Sequence, residues 1–242
     1  MRNLVLGLAV AASLLLLAPD ALAGGWTLED YLKEKPKSDW VGYGVGTMTH
    51  RRITQNVVMP GQGEQKMVME EKKTIKEITE TEIVLEVETL NMGQWTTEEK
   101  REKKDEGLTP KIEEQGKETV TIAGTEYECV KKQVTWMKGE EVDETAIVWN
   151  HPEKGILKMK VSGENDFELI ANELDASFTV GEHSLAGRTF EMSMTAQMGM
   201  VMKGKASMSN DVPESLVRNE IKGDQGPVKV NVVMELIAFE KK

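Results

Sequence analysis

The sequence predicts a mainly β fold, an antiparallel meander with an internal repeat and a short helix near its N-terminus. Three observations carry this expectation. From about residue 39 onward the apolar residues recur with a period of two, as on half-buried strands. Gly, Pro, Asn and Asp punctuate the chain at intervals that suit hairpins. The second half of the chain is also written twice. Gly124-Thr125-Glu126-Tyr127-Glu128-Cys129 returns as Gly187-Arg188-Thr189-Phe190-Glu191-Met192. Pro152-Glu153 and Ile156-Leu157-Lys158 return as Pro213-Glu214 and Leu216-Val217-Arg218. Val161-Ser162-Gly163 returns as Ile221-Lys222-Gly223, and Glu168-Leu169-Ile170-Ala171 as Glu235-Leu236-Ile237-Ala238. The order is kept and the offset stays between 60 and 67 residues, as for one supersecondary unit used twice. Each unit alone exposes an apolar face. The units are therefore expected to share one core, as a curved sheet or half-barrel or as two stacked half-sheets.

Residues 1–23 read as a secretory signal peptide, with Arg2, an uncharged run from Leu4 to Leu17, and the small-x-small site Ala21-Leu22-Ala23. The expectation is a secreted or periplasmic protein, with no membrane span once the signal is removed. Thr27-Leu28-Glu29-Asp30 is a capping start, and the helix is placed from about Leu28 to Lys35, before Pro36. Val41, Tyr43 and Val45 alternate with Gly42, Gly44 and Gly46, which reads as a strand with one bare face. Gln65–Ile78 and Glu82–Leu90 form a hairpin around Thr79-Glu80-Thr81. Residues 24–96 make up this first part.

Residues 97–117 differ. Glu98 to Glu106 is a charged run, followed by Gly107, Pro110 and Gly116, and it reads as a charged linker or loop, either a solvated helix or a mobile segment. Residues 118–242 hold the duplicated unit, divided into 118–176 and 177–242. Its first copy is expected to run through strands near 126–136, 142–149, 156–161 and 167–174. The inner turn of the second copy is expected at Met198-Gly199.

The net charge is −11 and aromatic residues make up 5% of the chain. Both argue against nucleic acid, which demands clustered cations and stacking platforms. Cys129 is the only cysteine, so no intramolecular disulfide forms. It sits in an apolar-alternating segment and reads as a buried small hydrophobe. His50, His151 and His183 have no partners at metal-ligand spacing, and no nucleophile elbow or phosphate-binding loop is present. The chain is therefore read as non-enzymatic, with no cofactor.

Methionine is the exception. Met192, Met194, Met198, Met200, Met202 and Met208 are all even-numbered, so on strands they share faces. A methionine-lined concave face adapts to irregular apolar ligands. These six residues, with Gly42, Gly44 and Gly46, are the candidate ligand-lining residues. Thioethers are also soft ligands, so Cu(I) binding is a lesser reading, with no metal site assigned.

The elements VTIAGTEYECVKKQV and VWNHPEKGILKMKV resemble a hairpin of uncharacterised exported bacterial β-rich proteins. In those, an A-G-x-x-(Y/F)-x-C strand precedes a W-x-(S/N)-x-x-x-P-G-G strand; here Glu153-Lys154-Gly155 replaces the double glycine. More remotely, a helix within a curled meander is similar to the periplasmic lipoprotein-carrier (LolA-like) half-barrel group. That resemblance implies an apolar concave face that holds acyl chains, and it brings no catalytic residues. The functional expectation is an exported binding module for a lipid or other apolar ligand. The alternative is a structural or protein-interaction module of the cell envelope, docking a protein partner through a sheet edge or the charged segment.

Overall fold

A computed structural model describes residues 26–162, 166–195, 200–225 and 227–242. The expected signal peptide and the Met198-Gly199 turn lie outside these residues. The helix α1 spans Leu28–Glu34. Thirteen strands follow: β1 Met48–Met59, β2 Gly63–Ile78, β3 Glu82–Asn91, β4 Gln94–Lys103, β5 Leu108–Ile122, β6 Thr125–Lys138 and β7 Glu141–His151. They continue as β8 Gly155–Ser162, β9 Asp166–Val180, β10 His183–Thr195, β11 Val201–Met208, β12 Leu216–Gln225 and β13 Val228–Glu240. All pair antiparallel in one curved sheet of order β4-β3-β2-β1-β13-β12-β11-β10-β9-β8-β7-β6-β5.

The echoed segments fall on corresponding strands. The first copy occupies β6 to β9 and the second β10 to β13. Three rows of opposed residues show how the echoes build one apolar face, because directly opposed residues point to the same side. One row runs Val134, Ala146, Val161, Phe167, Met194, Met202, Gly223, Val230, Val57. The next runs Val148, Met159, Leu169, Met192, Gly204, Ile221, Val232, Gln55. A third runs Ala171, Phe190, Ala206, Asn219, Met234, Ile53. Their apolar side chains, with Leu28 and Tyr31 of α1, belong to a single buried cluster.

α1 closes this face. Thr27 caps it, its hydroxyl accepting from the Asp30 N–H at 3.1 Å. Leu28 and Tyr31 are buried, and the Trp136 indole donates to the Tyr31 hydroxyl at 2.9 Å. Ahead of the helix, the Trp26 carbonyl accepts from the Ile156 N–H at 2.6 Å, and its ring lies 5.7 Å from that of Phe190. A seven-residue helix does not persist alone in water; this one is held by its inward face.

Two expectations are corrected. Residues 97–117 are mostly strand: 97–103 lie on β4 and 108–117 on β5, the two edges of the sheet, with only the short connection 104–107 between them. Edge strands exposed on both sides carry no apolar alternation, and their charges pair locally instead, as in Lys117–Glu128, Lys131–Glu118 and Lys100–Glu102. The glycine segment is not a strand either. Gly42 and Gly46 have φ of 92° and 89°, conformations incompatible with a pleat, and the chain turns repeatedly there. Gly44 lets the backbone of Lys242 approach, its N–H donating to the Lys242 carbonyl at 3.2 Å.

β4 and β5 are consecutive in the chain yet lie at opposite edges of the sheet. The connection 104–107 spans at most about 18 Å, so the sheet curls until its edges nearly meet at that end. The segment after α1 straps this seam. Glu106 N–H donates to the Pro36 carbonyl at 2.7 Å, Ser38 N–H to the Lys104 carbonyl at 3.3 Å, and the Ser38 hydroxyl to Glu102 at 2.8 Å. Trp40 then packs, fully buried, on Ile75, Ile83 and Leu85.

Candidate functional site

The described candidate methionines are core residues. Met192, Met194, Met200, Met202 and Met208 are all buried. Met194 and Met202 face each other across β10 and β11. Gly223 opposes Met202 on the next strand, where a Cβ would approach Met202 Cγ to 2.8 Å and Met200 Sδ to 3.2 Å. The glycine therefore makes room for two thioether side chains. Met208 opposes Arg188.

Two polar side chains intrude on this apolar face. Gln55 and Asn219 are each 3% exposed, and neither side-chain carbonyl oxygen has a hydrogen-bond partner among the described residues. Buried acceptors of this kind are normally satisfied by protein, water or a bound molecule.

The interior changes character toward the seam. Arg51 lies two residues from Ile53 on β1, hence on the same face. Opposite it on β2 is Glu71, and further along β2 are Lys73 and Ile75. Val87 and Leu85 of β3 oppose these, and Glu98 and Lys100 of β4 oppose them in turn. A cavity of about 820 Å³ opens here, beneath Lys35, Lys37 and Ser38. Among the described residues its lining carries seven cationic side chains, including Arg51, Lys73 and Lys100, and seven anionic ones, including Glu71, Glu102 and Glu214. Val87, Leu108, Leu216 and Met234 supply its apolar wall.

Glu214 is the centre of the charge arrangement. It comes from the turn between β11 and β12, and its carboxylate accepts from Arg51 Nη1 and from Lys73 Nζ, the latter at 2.6 Å. Arg51 Nη2 also donates to the Pro213 carbonyl at 3.0 Å. Lys73 makes a second ion pair with Glu71 at 3.1 Å. Burial pushes the Lys73 ammonium below its ordinary range, and Glu71 opposes that shift. A smaller cavity of about 190 Å³ is lined by Glu214 together with Ser38, Asp39, Tyr43 and Asn210. Burial, then Asp211 and Asp39, push the Tyr43 phenol upward, so it stays a neutral donor.

Sequence reasoning missed Arg51, Lys73 and Glu214. The signal was present in the phase of the charges. Arg51 alternates in register with Thr49 and Ile53, and Lys73 with Ile75, so each stands at an inward position of its strand.

The three histidines have structural surroundings. His151 Nδ1 accepts from the Glu153 and Lys154 N–H groups at 3.1 and 3.2 Å, which fixes a turn. His50 bonds Glu70 at 2.9 Å, and the His183 ring packs tilted against Phe239 with centroids 5.6 Å apart. No group of three or more His, Cys, Asp or Glu among the described residues is arranged to hold a metal. No described helix is long and apolar enough to cross a membrane.

No family model matches the chain, and no curated protein matches it. Two solved structures are remotely similar to it. A DUF1329 family protein from Desulfovibrio piger is 6% identical with a TM-score of 0.32, covering 78% of this chain and 84% of that one. A LolA superfamily protein from Nitrosomonas europaea is 8% identical with a TM-score of 0.31, covering 88% of this chain and 94% of that one.

Proposed function

We propose that this chain is an exported, non-enzymatic binding module that holds a lipid or another apolar ligand against its methionine-rich concave face. The observation that carries this reading is the closure of that face. A sheet of thirteen strands curls around an apolar interior, and one seven-residue helix with Trp26 covers it, where a permanent core would take a full second layer. A cover of that size detaches at a small cost in buried area. The methionines beneath it repack around an irregular guest with little strain. The acceptor oxygens of Gln55 and Asn219 favour a guest that also carries a hydrogen-bond donor.

The test is native mass spectrometry of the purified protein, with organic extraction of whatever it carries. The reading expects a lipid adduct, or uptake of added hexadecanoate or hexadecanol, coupled to exposure of α1. Protein that is empty as isolated and takes up neither probe overturns it.

A second reading, an envelope interaction module, is favoured by the edges. β4 is exposed along nearly its whole length and pairs on one side only. Reversing the charge of Glu99, which does not line the charged cavity, to lysine tests it. An interaction through this edge is weakened, whereas uptake of an apolar probe is untouched.

A further inference from the structure

The repeat contains a control for its own most unusual residue. Pro152-Glu153 and Pro213-Glu214 occupy equivalent turns, β7 to β8 in the first copy and β11 to β12 in the second. In the first copy Glu153 is exposed, and the left-handed conformation falls on Gly155 at φ 72°. Counted from the proline to the aligned strand residue, Ile156 in one and Leu216 in the other, the second turn has one residue fewer. Its left-handed backbone falls on two residues with side chains, Glu214 at φ 60° and Ser215 at φ 49°. Such conformations are strained for residues other than glycine and persist where surrounding contacts hold them. What holds this one is the Glu214 carboxylate, turned into the interior between Arg51 and Lys73, whose side chains are 4% and 14% exposed.

We propose that Arg51 and Lys73 form an anion-binding site occupied in this state by the protein's own Glu214 carboxylate. The carboxylate or phosphate of an anionic amphiphile replaces it. This rests on the reading of the protein as a binder of apolar ligands. Exchange of one anion for another leaves neither buried cation uncompensated, which is the large cost such a site must avoid. Glu214 released from the site takes the outward position that Glu153 already has in the sister turn, and the left-handed strain is relieved. Leu216 and Met234 line the same cavity, and Ile53 follows Arg51 on the same strand face. A chain attached to the bound anion therefore passes directly from the charged part of the interior to the methionine-rich part. Free phosphate shares the headgroup chemistry but not the tail.

The test compares the full-length wild type with Glu214→Ala, Glu214→Gln and the control Glu153→Ala. The probes are hexadecanoate, hexadecanol and inorganic phosphate, read by titration and by thermal unfolding. Removing an internal competitor raises apparent affinity by the reciprocal of the fraction of sites it left free. Glu214→Ala is expected to bind hexadecanoate about tenfold more tightly than wild type and hexadecanol within about twofold, with Glu153→Ala unchanged. Glu214→Ala and Glu214→Gln are expected to unfold at lower temperature than wild type. Phosphate or hexadecanoate raises their unfolding temperature by several degrees and moves the wild type less. Should Glu214→Ala gain equally for acid and alcohol, or should neither anion raise the unfolding temperature of either Glu214 variant, the cluster is a structural ion network and the proposal is overturned. Binding of both amphiphiles in that case leaves the apolar-ligand reading standing. If no amphiphile binds any variant while phosphate still stabilises the Glu214 variants, the anion site stands and the apolar-ligand reading falls.

Discussion

Gly155→Ala tests whether the cover over the methionine-rich face is held by one small contact surface. Gly155 has φ 72°, and a Cβ there would overlap the Trp26 carbonyl. The alanine side chain and the Trp26 backbone cannot both stay where they are. A left-handed alanine costs about 1–2 kcal/mol. Displacing Trp26 removes its hydrogen bond from Ile156, worth about 1 kcal/mol, and its ring contact with Phe190, about 0.5–1.5 kcal/mol. The total is about 3 kcal/mol, and it falls on the cover rather than on the strand ladder. Because α1 is too short to persist unaided, its opening should become about a hundredfold more populated. Limited trypsin digestion under native conditions reads this directly. Lys33 is exposed on α1, and cleavage after it requires local opening of the helix, whereas Lys35 is protected by Pro36. When opening is fast relative to cleavage, the rate follows the open population. The expected result is a rise of about two orders of magnitude at Lys33, with cleavage sites in β6 to β13 unaffected. Cleavage at Lys33 at the wild-type rate, or an equal rise at every site, would refute a cover that is locally held.

Three further outcomes are expected. Tyr31→Phe strands the buried Trp136 indole N–H and should destabilise the fold by about 1–3 kcal/mol in urea unfolding, despite losing a single oxygen. Met202→Leu should cost less than about 1.5 kcal/mol, whereas Met202→Ala, at a fully packed position opposite Met194 and Gly223, should cost about 2–5 kcal/mol; similar costs for both would mean the face is loosely packed. Burial, with Glu118 nearby, pushes the Cys129 thiol up to about 11, so the folded state keeps its proton where the unfolded state loses it. Iodoacetamide should therefore label native protein far more slowly than urea-unfolded protein at pH 8, and the stability contributed by this thiol, complete below about 9, should be lost as pH rises toward about 11.

The parts of the fold legible in the sequence are those where one face is wet and the other dry. Ile83, Leu85 and Val87 alternate because β3 has such faces, and the hairpin turn at Thr79 to Thr81 was readable for the same reason. Thr27 was readable because a cap is a local bond, made within three residues. The repeat fixed the strand order from β6 to β13 through matching turns. β4 was illegible as a strand because both its faces are exposed, so no pattern of burial marks it. The charged cavity was hidden for the opposite reason. Arg51, Lys73 and Glu214 are polar residues at inward positions, and only their long-range convergence, across 163 residues for Arg51 and Glu214, makes sense of them. Local pattern carries no information about such a meeting.

The joining of the two sheet edges through residues 104–107 has a consequence for how the chain folds. Read around the sheet from β5, the spatial order is β5 through β13 and then β1 through β4. That is the chain order of a plain meander cut open and rejoined elsewhere. Among the described residues every strand pairing is therefore between neighbours in sequence except β1 with β13, where Met48 meets Glu240. This single pairing carries nearly all the topological delay of the fold, because its loop-closure entropy must be met before the contact rewards it. A circular permutant opened between β4 and β5, with β13 linked to the segment before α1, would pair every strand with a neighbour in sequence, β13 reaching β1 through α1 and the segment after it. Such a chain should reach the same sheet with a markedly lower contact order and a faster folding rate.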